Sequence, residues 1–99
     1  MRTKIKRVEV TPGRATALVV VTDRALSLRI EHKVHVFPPS LLFGGPTISV
    51  EALGLGDQVH AWAQANGRGE EEEARVYRAC ERALMRAAAS VARKLARGR

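Results

Sequence analysis

Leu26-Ser27-Leu28-Arg29-Ile30-Glu31-His32-Lys33-Val34-His35-Val36 is the stretch on which the fold turns. Leu26, Leu28, Ile30, Val34 and Val36 alternate with Ser27, Arg29, Glu31, Lys33 and His35. That period of two places the first set on a core and the second in solvent. Only His32 interrupts the apolar set. A strand with one wet face belongs to an antiparallel sheet, and this wet face carries Arg29, Lys33 and His35 with Glu31 as its acid.

Toward the N-terminus, Ala15 to Thr22 contains Ala17-Leu18-Val19-Val20-Val21, an unbroken apolar run that predicts a strand covered on both faces. Before it, Thr11-Pro12-Gly13-Arg14 has proline at the second and glycine at the third turn position, as a type II turn requires. Lys4 to Val10 then reads as the partner strand, with Val8 and Val10 on one face. Toward the C-terminus, Phe37 to Pro46 is a loop, because its prolines and glycine pair break both helix and ladder. Its large apolar residues need cover from the core or from a subunit contact.

Ile48, Val50, Ala52 and then Val59, Ala61, Ala63 alternate on either side of Gly54-Leu55-Gly56-Asp57. This predicts a second hairpin, from Thr47 to Leu53 and from Gln58 to Gln64. A helix from Asp57 to Asn66, stopped by Gly67, is the competing reading. From Glu70 onward, Val76, Cys80, Ala83, Leu84, Ala87, Val91 and Leu95 form the apolar stripe of a helix. Glutamates at its start and Arg and Lys at its end complement the helix dipole. The expected fold class is α+β in a single domain over 1–99. An antiparallel sheet of four to five strands, with 1–66 mainly β, precedes one long C-terminal helix over 70–97. The thin stripe and the slim Ala87-Ala88-Ala89 region predict burial by a partner subunit, hence a homodimer or homotetramer.

A chain of 99 residues has room for one core, and 45% hydrophobic residues can fill it. Lys and Arg number 17 against 10 acids, a net charge of +7 that attracts phosphate backbones and acidic surfaces. The charge is uneven: 1–36 and 70–99 each hold eight Lys or Arg, whereas 37–69 hold one. Cys80 is the lone cysteine, which excludes an intrachain disulfide and a Cys-based zinc site and fits a reducing compartment. No apolar run approaches the roughly 18 residues of a membrane span, and no signal-peptide core is present, so a cytoplasmic protein is expected. Thirteen Arg against four Lys, with one Asn and two Gln, fits a thermophile or a GC-rich genome.

His32, His35 and His60 lack metal-ligand spacing and match no zincin or hydrolase motif, and the glycines form no phosphate loop. No catalytic residue, metal or cofactor is expected, and the chain does not read as an enzyme. Cys80, on the apolar stripe, reads as a buried, inert thiol. Binding a single strand needs cations along the backbone and flat surfaces on which bases rest. Lys4, Lys6, Arg7, Arg14, Arg29 and Lys33 supply the cations, Phe37, Phe43 and Trp62 the flat surfaces, and His35 and His60 adjoin them. Arg75, Arg78 and Arg82, continued by Arg86, Arg93 and Arg97, form a second basic row along one side of the helix. The expected function is binding of single-stranded DNA, or RNA, with little sequence preference. The alternative is a basic adaptor for RNA or an acidic protein.

In layout, a basic sheet over Met1 to Gln64 followed by a helix over Glu70 to Arg99 resembles the archaeal ThermoDBP-related single-stranded DNA-binding proteins. The resemblance implies a small, thermophilic, oligomeric protein that holds single-stranded DNA between subunits without an oligonucleotide-binding barrel. A narrower resemblance is to RecX, the modulator of recombinase filaments. Ile5-Lys6-Arg7-Val8-Glu9-Val10, Ala52-Leu53-Gly54-Leu55-Gly56-Asp57 and Ala74-Arg75-Val76-Tyr77-Arg78-Ala79 are similar to its N-terminal strand, glycine turn and first helix. Against that pattern, residues 37–47 are an insertion and the later helical modules are absent.

Overall fold

The computed structural model describes residues 1–39 and 44–97. Strands β1 (Arg2–Thr11), β2 (Arg14–Asp23), β3 (Leu28–Phe37) and β4 (Thr47–Val50) form one antiparallel sheet in the order β1-β2-β3-β4. Helices α1 (Leu55–Ala65) and α2 (Glu70–Arg97) follow, so the chain is an α+β fold ending in a long helix. Among the described residues no helix is long and apolar enough to cross a membrane.

The β1–β2 connection follows from its sequence. Gly13 sits at φ 87°, where a side chain would be strained, and Thr11 pairs with Arg14 across the turn. The next turn depends on Asp23, whose carboxylate accepts from the Leu26 backbone N–H at 3.2 Å. Ser27 adopts φ 50° there, so β3 begins at Leu28 rather than at Leu26. Leu26 is thereby freed from the ladder and packs against the edge of the core.

Among the described residues, β1 contains the one irregularity of the register, between Ile5 and Arg7. In an unbroken strand Ile5 would lie opposite in facing to Val8 and Val10. The extra residue, Lys6, restores them to a common face: Ile5 pairs with Val19, Val8 with Ala17 and Val10 with Ala15. Such a bulge, with Arg2, Lys4, Lys6 and Arg7 along the strand, also blunts the exposed edge that β1 forms.

The second hairpin expected from residues 47–64 does not form. β4 pairs with β3 instead, and 55–65 are helical. Alternation at Val59, Ala61 and Ala63 misleads because alanine suits either structure, whereas Leu55, Val59, Trp62 and Ala63 share one buried helical face. The helix stops at a Schellman turn. Arg68 N–H bonds the Ala63 carbonyl at 2.9 Å and Gly67 N–H bonds the Gln64 carbonyl, with Gly67 at φ 65°.

The core lies between one face of the sheet and the two helices. Val19, Val21, Val34, Leu55, Val59, Cys80 and Leu84 are the largest of its fully buried side chains. At about 0.8 kcal/mol per buried CH2, these residues outweigh exposed ion pairs worth about 0–1 kcal/mol each. The α2 stripe is buried within the chain by the sheet and α1, with Ala83, Leu84 and Ala88 at 0% exposure. That stripe therefore offers no ground for the subunit contact expected of it. The other face of the sheet carries no second layer among the described residues, so the expected cover on both faces of β2 is also corrected. Val20 is 8% exposed on this face, between its register neighbours Lys4 and Glu31.

Candidate nucleic-acid interface

The open face can be read row by row from the register. Arg2, Thr22 and Arg29 form one row; Lys4, Val20 and Glu31 the next; then Arg7, Leu18 and Lys33; then Glu9, Thr16 and His35. Lys6 reaches the same face through the bulge, where its Nζ meets Glu31 Oε1 at 3.1 Å. Arg14 closes the face at the hairpin end, and Phe37, paired with Thr47, closes it at β4. Seven Arg or Lys thus share this surface with Glu9, Glu31 and Glu51.

Several cations are already engaged. Glu31 accepts from both Lys6 and Arg29, at 3.1 and 2.9 Å, and these bonds hold its carboxyl below the usual carboxylate range. Arg7 lies 3.4 Å from Glu9. Arg2, Lys4, Arg14 and Lys33 have no carboxylate within bridging distance among the described residues. All four side chains are exposed, and their charge is not tied up in a direct ion pair.

A shallow polar recess of about 290 Å³ lies in this face, walled by Arg7, Arg14, Lys33, Glu9, His35 and Glu51. His35 Nε2–H donates to Glu51 Oε2 at 2.6 Å, and its Nδ1 accepts from the Thr16 hydroxyl at 3.2 Å. The hydrogen bond from His35, with the nearby charge of Lys33, lowers the Glu51 carboxyl from its ordinary value against an opposing effect of burial. On the inner side of β3, His32 Nε2–H donates to the Glu51 carbonyl at 2.8 Å, while Nδ1 accepts from Gln58 at 3.2 Å. Two histidines on opposite faces of one strand therefore grip one residue, at the junction of β4 and α1. This accounts for the histidine that interrupts the apolar set of β3: it is 5% exposed and has both ring nitrogens partnered.

A hydroxyl, an imidazole and a carboxylate in sequence can activate a nucleophile when donors await an oxyanion. Thr16 is paired on both sides, with Glu9 and His35, so the adjacent backbone N–H groups are engaged in the ladders. The three side chains tie β2 and β3 to the residue that follows β4. Among the described residues no cluster of three His, Cys, Asp or Glu side chains could hold a metal ion. Cys80 is fully buried, and that burial, reinforced by Asp23, pushes its thiol up to about 11.

The residues expected to bind divide into three groups. Lys4, Lys6, Arg7, Arg14, Arg29, Lys33, His35 and Phe37 share the open sheet face. Arg75, Arg78 and Arg82 lie on the exposed side of α2, beyond the core and away from that face. The remainder join neither set. Trp62 is 7% exposed, its indole N–H bonds the Leu26 carbonyl at 2.8 Å and Arg68 stacks over its ring, so it is a core residue and not a base platform. His60 is on α1, where Nδ1 meets Glu73 at 3.0 Å and joins the two helices. Phe43 lies outside the described residues.

Arg2, Leu18 and Glu51 belong to the face and are absent from the expected set. Arg2 and Leu18 follow from counting outward along β1 and β2, once the bulge is known. Glu51 does not follow, because its place depends on β4 pairing with β3. No family model, no curated protein and no solved structure matches the chain.

Proposed function

We propose that the open face of the sheet binds single-stranded nucleic acid, DNA foremost, along its phosphate backbone and with little sequence preference. One observation carries this reading: a sheet face without a covering layer bears seven Arg or Lys, four of them free of any carboxylate among the described residues. Between them Leu18 and, at the margin, Phe37 at 37% exposure offer apolar surface to a base. A broad face of this kind suits a splayed strand, whereas duplex sequence is read by an element that enters a groove. Trp62 is not part of this contact surface.

The test is fluorescence anisotropy with labelled single-stranded DNA, single-stranded RNA and duplex DNA at two salt concentrations. Single strands should bind best, with affinity falling steeply as salt rises. Reversing three charges together, Lys4→Glu, Arg14→Glu and Lys33→Glu, should weaken binding by at least about tenfold. It should also reduce the salt slope by roughly two, at about 0.7 per lost phosphate contact. Emission from Trp62 should hardly change on binding, because the ring is inside. Equal, weak binding to all three ligands, or indifference to the triple reversal, would remove the sheet face from consideration and leave an acidic protein as the partner to seek.

A further inference from the structure

α2 carries a second cationic surface that the sheet face does not account for. At 100° per residue, Arg75, Arg78, Arg82, Arg86, Arg93 and Arg97 fall within an arc of about 100°, roughly opposite the buried stripe of Val76, Cys80, Leu84 and Val91. The ridge is about 33 Å long at 1.5 Å per residue, long enough to follow several successive phosphates of a strand. All six arginines are exposed, and none reaches a carboxylate within bridging distance among the described residues.

A merely solvated helix face would be built differently. Like charges three and four residues apart destabilise a helix, and glutamates interleaved at that spacing relieve the repulsion. Here four glutamates are gathered at Glu70–Glu73, and only Glu81 lies within the span of the ridge. Beside the ridge, an open recess of about 530 Å³ is walled by Val50, Met85, Arg82, Arg86 and the ridge's lone acid, Glu81, and adds apolar surface to the two cations. Cations in a row with an apolar recess alongside are the elements that a single strand requires.

The ridge and the sheet face point away from each other, with the core between them. One short strand lying on either surface leaves the other free. We propose that α2 is a second binding surface for a single strand and that one chain bridges two strands, drawing separate segments together. This rests on the sheet-face reading above for the first strand.

The test is a capture assay on the full chain. Biotinylated single-stranded oligonucleotide is fixed to beads, the protein is added, and a second, fluorescent oligonucleotide is offered. Titrations give the number of strands per chain, and light scattering gives the mass. The wild type should saturate at two strands per chain and retain the second oligonucleotide. The variant Arg78→Glu/Arg82→Glu/Arg86→Glu, with its fold verified by circular dichroism, should saturate at one and lose capture by at least about tenfold. If reversal disturbs the helix, the triple Ala variant gives the same readout, with a smaller loss.

Saturation of the wild type at one strand per chain overturns the proposal. So does undiminished capture by the ridge variant, which would mean that bridging arises from self-association through copies of the sheet face. The first reading fails separately. If Lys4→Glu/Arg14→Glu/Lys33→Glu leaves single-strand anisotropy unchanged, the sheet face is not a binding surface, whatever the ridge does.

Discussion

Along β3, Leu28, Ile30, His32, Val34 and Val36 are buried, while the intervening Arg29, Glu31, Lys33 and His35 reach the other side of the sheet. The first side is sealed by α1 and α2, and its histidine has both ring nitrogens bonded. The second has no covering layer among the described residues and retains cations with no acidic partner. Burial forces the inner face to satisfy every polar atom, since an unpaired one costs about 1–3 kcal/mol. The outer face is free of that demand because water solvates its charges. The difference teaches where stability and function reside: substitutions on the inner face should move stability, and those on the outer face should move binding.

The largest effect that would break this division is at Trp62. Trp62→Ala removes a buried ring and its hydrogen bond to Leu26, and should cost about 3–5 kcal/mol in urea unfolding. The fraction that remains folded should bind single strands as the wild type does. A mild loss of stability with a selective loss of binding would return Trp62 to the interface. Next come neighbours on one strand. Val34→Ala should cost about 2 kcal/mol, whereas Lys33→Ala should stay within about 0.5 kcal/mol in the same measurement while weakening binding. Comparable destabilisation by both would erase the distinction between faces.

The Glu51 tether offers a smaller effect that sharpens it. Because the folded-state carboxyl lies below its ordinary value, its contribution is present above the unfolded value and fades as pH falls through the folded one. Unfolding midpoints should therefore decline toward acid more steeply for the wild type than for Glu51→Gln. Parallel pH profiles would show that the His35 bond does not stabilise the junction. The smallest effect concerns Glu31, which engages both Lys6 and Arg29. Glu31→Gln should leave the melting temperature nearly unmoved and raise single-strand affinity by a few-fold at low salt, as two cations lose their carboxylate. A drop in affinity in anisotropy would show that Glu31 positions the cations and does not compete with the phosphate.

Much of this architecture is legible in the residues themselves. Period two in β3, the Pro12-Gly13 turn, the wet side of the sheet and the long helix from Glu70 all follow from local stereochemistry and from which side chains water tolerates. Residues 55–65 admit two readings in the sequence alone because their alanines fit either period. What decides between them is the contact of Leu55, Val59 and Trp62 with the same core that β3 lines. Most of the sheet-face members of the expected site follow from the alternation of a single strand, whereas Arg7 joins Lys4 and Lys6 on that face only through the bulge.

Other features arise only when distant segments meet. The bulge at Lys6 restores the facing of Val8 and Val10 because β2 offers no partner for the extra residue. Trp62 is removed from the surface by a carbonyl 36 residues away. Glu51 comes under two histidines because β4 pairs with β3. By itself the sequence determined which residues are apolar, which are charged and the period at which they recur. Only the tertiary structure decided that the two basic runs occupy opposite sides of one core. The physical reason is that an apolar stripe on α2 and an apolar face on the sheet each exclude water best against the other, and in doing so turn their charged sides apart.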